Sequence, residues 1–269
     1  MSFSPTPLRI STITALCNIG CEVPLQVLYD NIEINNVIQF IHFKDFPNKG
    51  VPKKTKRKSS KKSFYNQLTL ILRLSEKRSI NIKIFKNGQL QMTGVKSTEE
   101  GNHAVVLLIE ELRTVLPEEY VLTKNGYRTV LINSDFCIGY KVNRNKLYLL
   151  LDQHYGMYVS YEPCIYPGVN AKYFWNNQNP SRNGVCSCGG LQRCYGKGDG
   201  STLGKCKKVT IAIFQSGTII ITGANTETQL HDAHAFICSI FKKHQHLVQK
   251  KTLPPPLPQL TYVLSKTSQ

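Results

Sequence analysis

Residues 82–96 read IKIFKNGQLQMTGVK, and residues 211–225 read IAIFQSGTIIITGAN. Both fit the frame I-x-I-F-x-x-G-x-x-x-x-T-G. Alternating branched residues, a short turn at Gly88 or Gly217 and a second alternating run that stops at glycine describe a β-hairpin, written twice. A helical stretch follows each copy, with Ala104, Leu107, Leu108, Glu111 and Leu112 at helical spacing in the first and Ala233, Phe236, Ile237, Ile240 and Phe241 in the second. Upstream, TITALCNIGC (12–21) and INSDFCIGY (132–140) open the two halves as strands, each leading into a short helical pattern, LQVLYDNI and KLYLLLDQ. The expected fold is α+β: two pseudo-symmetric halves, 1–125 and 126–248, joined into one curved antiparallel sheet with helices on the opposite, convex face. A basic insertion at about 46–63, a cysteine-rich insertion at about 173–208 and a Pro-rich tail at 249–269 complete the plan.

Strand parity assigns the faces. Ile82, Ile84, Leu90 and Met92, with Ile211, Ile213, Ile219 and Ile221, point to the helices. Lys83, Phe85, Gln89, Gln91 and Thr93, with Thr210, Ala212, Phe214, Thr218, Ile220 and Thr222, take the open face. That face has hydroxyls, amides and one phenylalanine per half. A minor-groove floor offers sugar edges and sparse acceptors, which suit such side chains, and a phenylalanine can unstack a base step. A parity slip of one would instead make both phenylalanines core residues.

Charge agrees with a polyanionic partner. The 269 residues hold 34 basic and 17 acidic side chains, for +17, and a pI near 9.5. Seven of the basic residues, Lys53, Lys54, Lys56, Arg57, Lys58, Lys61 and Lys62, fall in PKKTKRKSSKK; taking those from +17 leaves +10 on the rest. The run reads as a loop or a nucleic-acid or import-receptor patch. Nucleic acid ranks ahead of an anionic membrane. No apolar run approaches the ~20 residues of a membrane span, and the start MSFSPTPLRISTITALC lacks a secretory pattern, so an intracellular protein with reduced thiols is expected.

The doubled hairpin and helix, together with Tyr161-Glu162-Pro163-Cys164-Ile165-Tyr166-Pro167-Gly168, resemble the TATA-box-binding protein (TBP) family, whose second half carries YEPELFPG. The resemblance runs from about Leu8 to His244. It implies a saddle that sits on the minor groove of double-stranded DNA with two aromatic pairs wedged at the ends of an A·T-rich site, the geometry for which this family is the standard instance. It implies wedges at Phe85, Phe214 and Tyr166, with Gln67 in the place of the fourth and Phe64, Tyr65 or Leu68 as substitutes nearby. It further implies phosphate contacts at Arg73 and Lys172, and groove contacts at Thr93 and Thr222. Lys83 and Ala212 stand where the family has leucine. The family's central asparagines fall near Thr12 and near Ile132 or Asn133. The turn with Glu162 and Ile165 corresponds to the docking site for a B-type initiation factor, with the RNA polymerase machinery beyond it, and Cys164 replaces a second glutamate. The cysteine-rich insertion is expected beside this turn, extending that contact. The divergence suggests a large DNA virus, which places the protein in a nucleus, viral factory or virion.

Within that insertion Cys186, Cys188, Cys194 and Cys206 are spaced C-x-C-x5-C-x11-C amid glycines and few apolar residues. Such a segment cannot build a core, whereas four thiolates can close a tetrahedral zinc site that supplies the folding energy; free thiols or redox pairing are the alternatives. Cys17, Cys21, Cys137, Cys164 and Cys238 read as small buried hydrophobes in strands or helices. An enzyme is not expected: Glu99, Glu100, Glu110, Glu111, Glu118 and Glu119 sit as solvated helix residues, and His103, His231, His234, His244 and His246 as helix surface, without an acid partner at catalytic spacing. The functional expectation is a promoter-recognition factor; the alternative is an architectural DNA-bending protein or processing accessory without a promoter role.

Overall fold

The computed structural model describes residues 3–51, 66–186, 188 and 194–250. The lysine run, Phe64, Tyr65 and most of the Pro-rich tail lie outside these residues. In chain order the elements of the first half are β1 (Arg9–Asn18), α1 (Leu25–Asn31), β2 (Ile38–Phe43), β3 (Lys49–Gly50), β4 (Gln67–Ser75), β5 (Arg78–Phe85), β6 (Gln89–Val95) and α2 (Thr98–Arg113). The second half has β7 (Asn125–Cys137), α3 (Arg144–Leu149), which runs on as a π-helical turn over Leu150–His154, β8 (Tyr158–Ser160), β9 (Val169–Trp175), β10 (Lys207–Ile213), β11 (Thr218–Ala224) and α4 (Glu227–Val248).

Among the described residues, all strands join one eleven-stranded sheet in the order β3-β2-β4-β5-β6-β1-β7-β11-β10-β9-β8, antiparallel throughout. The long strands β1 and β7 lie side by side at the centre, and each half fans outward from its own. The duplication extends to single hydrogen bonds. Ile19 N donates to Gly88 O and Ile138 N to Gly217 O, both at 3.0 Å, while Val23 N and Val142 N donate to Lys86 O and Gln215 O. Gly88 and Gly217 hold φ of 76° and 90°. A Cβ at Gly88 would lie 2.2 Å from Cys21 O, and one at Gly217 2.3 Å from Tyr140 O. Glycine is required at both turns because the hairpin presses on the chain leaving the central strand.

The parity reading holds. Ile82, Ile84, Leu90, Met92, Ile211, Ile213, Ile219 and Ile221 are all 0% exposed and pack beneath the helices. Ser97 and Thr226 accept from the backbone N–H of Glu100 and Gln229, capping α2 and α4 at matching places. On α2 the buried stripe is Ala104, Val105, Leu108, Ile109 and Leu112, while Glu111 faces outward and accepts from Asn35 Nδ2.

Four details differ from the sequence reading. The basic insertion begins later than about residue 46, because Lys49 and Gly50 pair with β2 and Lys49 Nζ donates to the α1 carbonyls of Tyr29 and Ile32 at 2.7 and 2.8 Å. The tail also begins a little later, since Gln249 bridges Val142 and Lys250 N donates to Lys141 O. Of the five scattered cysteines only Cys17 is fully buried, and Cys164 is exposed, because its segment is a turn and not a strand. His234 is not helix surface: its ring meets Phe136 edge-on at 4.6 Å, and burial, followed by neighbouring His231, holds its pKa down. Among the described residues, no helix is long and apolar enough to cross a membrane.

Candidate nucleic-acid interface

The open face of the sheet is built by the residues between the core positions of each strand. Across β5, β6 and β1, Lys83 pairs with Gln91 and Gln91 with Leu16; Asn81 pairs with Thr93 and Thr93 with Thr14; Gln89 lies opposite Asn18. Across β7, β11 and β10, Asn133 pairs with Thr222 and Thr222 with Thr210; Asp135 pairs with Ile220 and Ile220 with Ala212; Thr218 lies opposite Cys137. Sequence reasoning placed Gln89, Gln91, Thr93, Thr218, Ile220 and Thr222 on this surface, and all are there at least partly exposed. Ala212 shares the face but is only 4% exposed beneath its neighbours.

The centre lies where β1 meets β7. Thr12 pairs with Asn133 and Thr14 with Leu131, so the pseudo-symmetry makes Leu131 the counterpart of Thr12 and Asn133 the counterpart of Thr14. Asn133 accepts from Thr222 Oγ1, and Thr12 Oγ1 accepts from Gly94 N at 3.0 Å. Ile132, the other candidate for the centre, is 2% exposed on the opposite face and belongs to the core. Thr14, Leu131 and Asp135 were missed. The signal for them was the I-G step, Ile19-Gly20 and Ile138-Gly139, which sets the register between the central strands.

The two ends differ. In the second half the rings of Tyr166 and Phe214 meet at 5.8 Å, tilted by 58°. Gly168 leaves them room, since a Cβ there would lie 2.8 Å from Tyr166 and 3.3 Å from Phe214. In the first half Phe85 pairs across the strands with Gln67, and among the described residues no second ring accompanies it. Leu68 cannot substitute, because it points into the core at 0% exposure.

Arg73 is exposed near the end of β4, where its guanidinium donates to the side-chain oxygen of Gln39. Lys172 lies along the sheet and donates to Thr210 Oγ1 at 3.0 Å; burial, and then nearby Lys208, lower its pKa. Glu162 and Ile165 occupy an exposed turn in which Ile165 N and Tyr166 N both donate to Glu162 O at 2.9 Å, and Ile165 is 80% exposed. Arg144 braces this turn. It lies 5.3 Å from the Tyr161 ring and donates to Pro167 O and, at 3.0 Å, to Gln215 Oε1.

The cysteine-rich insertion is not beside that turn. It starts after Trp175, at the far end of β9, and a seven-residue strand spans about 20 Å. It folds onto α4. Trp175 Nε1 donates to Asp232 Oδ2 at 2.7 Å, Arg182 pairs with the same carboxylate, and Gln229 Nε2 donates to Asp199 O at 3.0 Å. The strands run through Trp175 and resume at Lys207, so the insertion is shorter at both ends than 173–208. The sulfurs of Cys186, Cys188, Cys194 and Cys206 all lie within 4.8 Å of one another, with Cys206 3.2 Å from Cys188 and 3.8 Å from Cys186. Ligands about 2.3 Å from a tetrahedral ion stand about 3.8 Å apart, so this cluster can hold a metal ion.

The family model described as Transcription factor TFIID (or TATA-binding protein, TBP) matches residues 139–244. A "TATA-box-binding protein-like" protein of Acanthamoeba polyphaga mimivirus is 33% identical over 94% of this chain and 70% of its own length. An "Uncharacterized protein 335L" of Invertebrate iridescent virus 6 is 30% identical over 45% of this chain and 38% of its own. In fold the chain is similar to Methanococcus jannaschii TBP, with a TM-score of 0.52 over 88% of this chain and 99% of that one, at 19% identity. The family-model match lies in the second half, where the aromatic pair is complete.

Proposed function

The chain belongs to the TATA-box-binding protein family, and from that premise we propose that it is a transcription initiation factor that seats its open sheet on the minor groove of A·T-rich DNA and bends it. Its relative in sequence is viral, and membership supports a DNA-binding, transcription-related role without enzymatic activity. The observation that carries the finer reading is the Tyr166–Phe214 ring pair at one end of that sheet, an apolar wedge of the kind that unstacks a base step. Phe85 wedges the other end, Arg73 and Lys172 hold phosphates, and Thr93, Thr222, Gln89, Gln91, Thr218, Ile220 and Asn133 contact the groove floor.

In this reading the turn with Glu162 and Ile165 receives a B-type initiation factor and through it the polymerase, in a nucleus, viral factory or virion. Cys186, Cys188, Cys194 and Cys206 bind one structural zinc, which would hold the insertion folded. Fluorescence transfer between the ends of a labelled A·T-rich duplex tests the proposal: saturating protein should shorten the end-to-end distance, and an unbent duplex would defeat it. Bending without co-assembly with a B-type factor would favour the architectural alternative.

A further inference from the structure

The two halves of the open face are not equivalent in charge. Pseudo-symmetry matches Leu16 with Asp135, Gln91 with Ile220 and Lys83 with Ala212, so a row that is Leu-Gln-Lys in the first half is Asp-Ile-Ala in the second. Asp135 lies between the centre and the Tyr166–Phe214 end, in register with Ile220 on one side and Arg9 on the other. Its carboxylate receives Arg9 Nη2 at 2.8 and 3.0 Å and Arg9 Nε at 3.2 Å, and its side chain is still 26% exposed beside an Arg9 that is 72% exposed.

A carboxylate only accepts hydrogen bonds, and its two oxygens offer about four lone-pair sites, so the Arg9 fork leaves acceptor capacity free. On the minor-groove floor A·T and T·A pairs present acceptors alone, and the one donor is the 2-amino group of guanine. Set against A·T, the acceptor capacity that Arg9 leaves free on Asp135 would face acceptors and go unsatisfied in a desolvated groove. Set against G·C it has a partner, while Arg9 offsets the charge that would otherwise repel the DNA. Leu16, in the matching place of the first half, has no such preference.

The geometry points to Asp135 as a specificity-determining residue that accepts a hydrogen bond from the guanine 2-amino group of a G·C pair lying between the site centre and the Tyr166 wedge. The site is then A·T-rich with a guanine on one side of its centre, which orients the protein on the duplex. This inference rests on minor-groove binding as proposed above.

The test uses the full-length protein and a labelled A·T-rich duplex in which one base pair at a time is replaced by G·C, by inosine·C, which lacks the amine, or by 2,6-diaminopurine·T, which adds it. At one position in one half, the wild type should bind the two amine-bearing pairs about tenfold more tightly than the two amine-free pairs, the scale of one mismatched base pair. Asp135→Leu should erase that ratio and Asp135→Asn, which can donate as well as accept, should shrink it. Each readout is a ratio within one protein, so a partly folded variant still reports. Intact binding without an amine preference at any position, or an Asp135→Leu protein that keeps the preference, would overturn the assignment alone. Failure to bind any duplex would overturn the DNA-binding proposal as well.

Discussion

Gln67 pairs directly with Phe85 across β4 and β5 in the first half, whereas in the second half the Tyr166 ring meets Phe214. One end of the sheet therefore presents two rings tilted against each other and the other, among the described residues, a ring beside an amide. Phe214→Ala should reduce DNA bending and affinity together, costing about 1–3 kcal/mol, the worth of one aromatic–base stack. Phe85→Ala should cost less, because among the described residues no second ring shares its step. Gln67→Phe should increase the bend at that end. End-labelled duplexes read by fluorescence transfer separate these outcomes, and equal losses for the two alanine variants would contradict the asymmetry.

In the proposed reading Lys172 combines phosphate binding with a cost to folding. Burial and Lys208 lower its pKa in the folded state, so the protonated form is disfavoured by folding. The penalty is fully present below the lowered value and vanishes only as pH rises past the usual lysine range. Lys172→Met should therefore raise the melting temperature at neutral pH. It should also weaken binding to all sequences alike and make the slope of affinity against salt shallower by about one. A variant that melts lower, or that loses affinity for one sequence only, would show that the Thr210 hydrogen bond outweighs desolvation or that Lys172 does not touch phosphate.

How far the sequence was readable follows from what each part depends on. The hairpins, their parity and the long helices were legible because period two and period 3.6 are local and because the frame around Phe85 recurs around Phe214. The ring that meets Phe214 was legible at Tyr166 through its eight-residue segment. The centre was not: Ile132 differs by one residue of register from both Leu131 and Asn133, and register between β1 and β7 is set by tertiary pairing. The insertion was read correctly as a thiol cluster, yet its position failed. Proximity along the chain to Glu162 says nothing about which end of β9 the chain leaves from.

That correction changes what deletion should do. With the insertion about a strand length from Ile165, removing residues 176–206 should leave B-factor docking in place, whereas Glu162→Arg with Ile165→Ala should weaken it by tenfold or more, since exposed apolar anchors dominate such contacts. Band-shift assays with a B-type factor on a bent duplex distinguish the two. Loss of the ternary complex in the deletion, with DNA binding retained, would mean that the partner wraps around to α4.

Metal removal should act locally and be visible through one side chain. Trp175 is the chain's single tryptophan. It is 8% exposed and held to Asp232 at 2.7 Å, with Gly200 pressed against its ring, where a Cβ would lie 2.2 Å away. Cys206, which begins the return to β10, hydrogen-bonds through its sulfur with Cys188 and Asn176. If one zinc joins the four sulfurs, purified protein should release about one equivalent on thiol modification, and Trp175 emission should shift red as the glycine-rich segment leaves α4. Cys188→Ser with Cys206→Ser should give the same spectrum without added reagent and should make residues 176–206 sensitive to protease. The hairpins around Phe85 and Phe214 draw their stability from the core beneath the sheet, so DNA bending should survive metal loss. Absence of metal after chelator-free purification, together with an unchanged protease pattern in the double variant, would remove the zinc site. Loss of bending along with zinc would instead show that the insertion helps to hold the second half of the sheet.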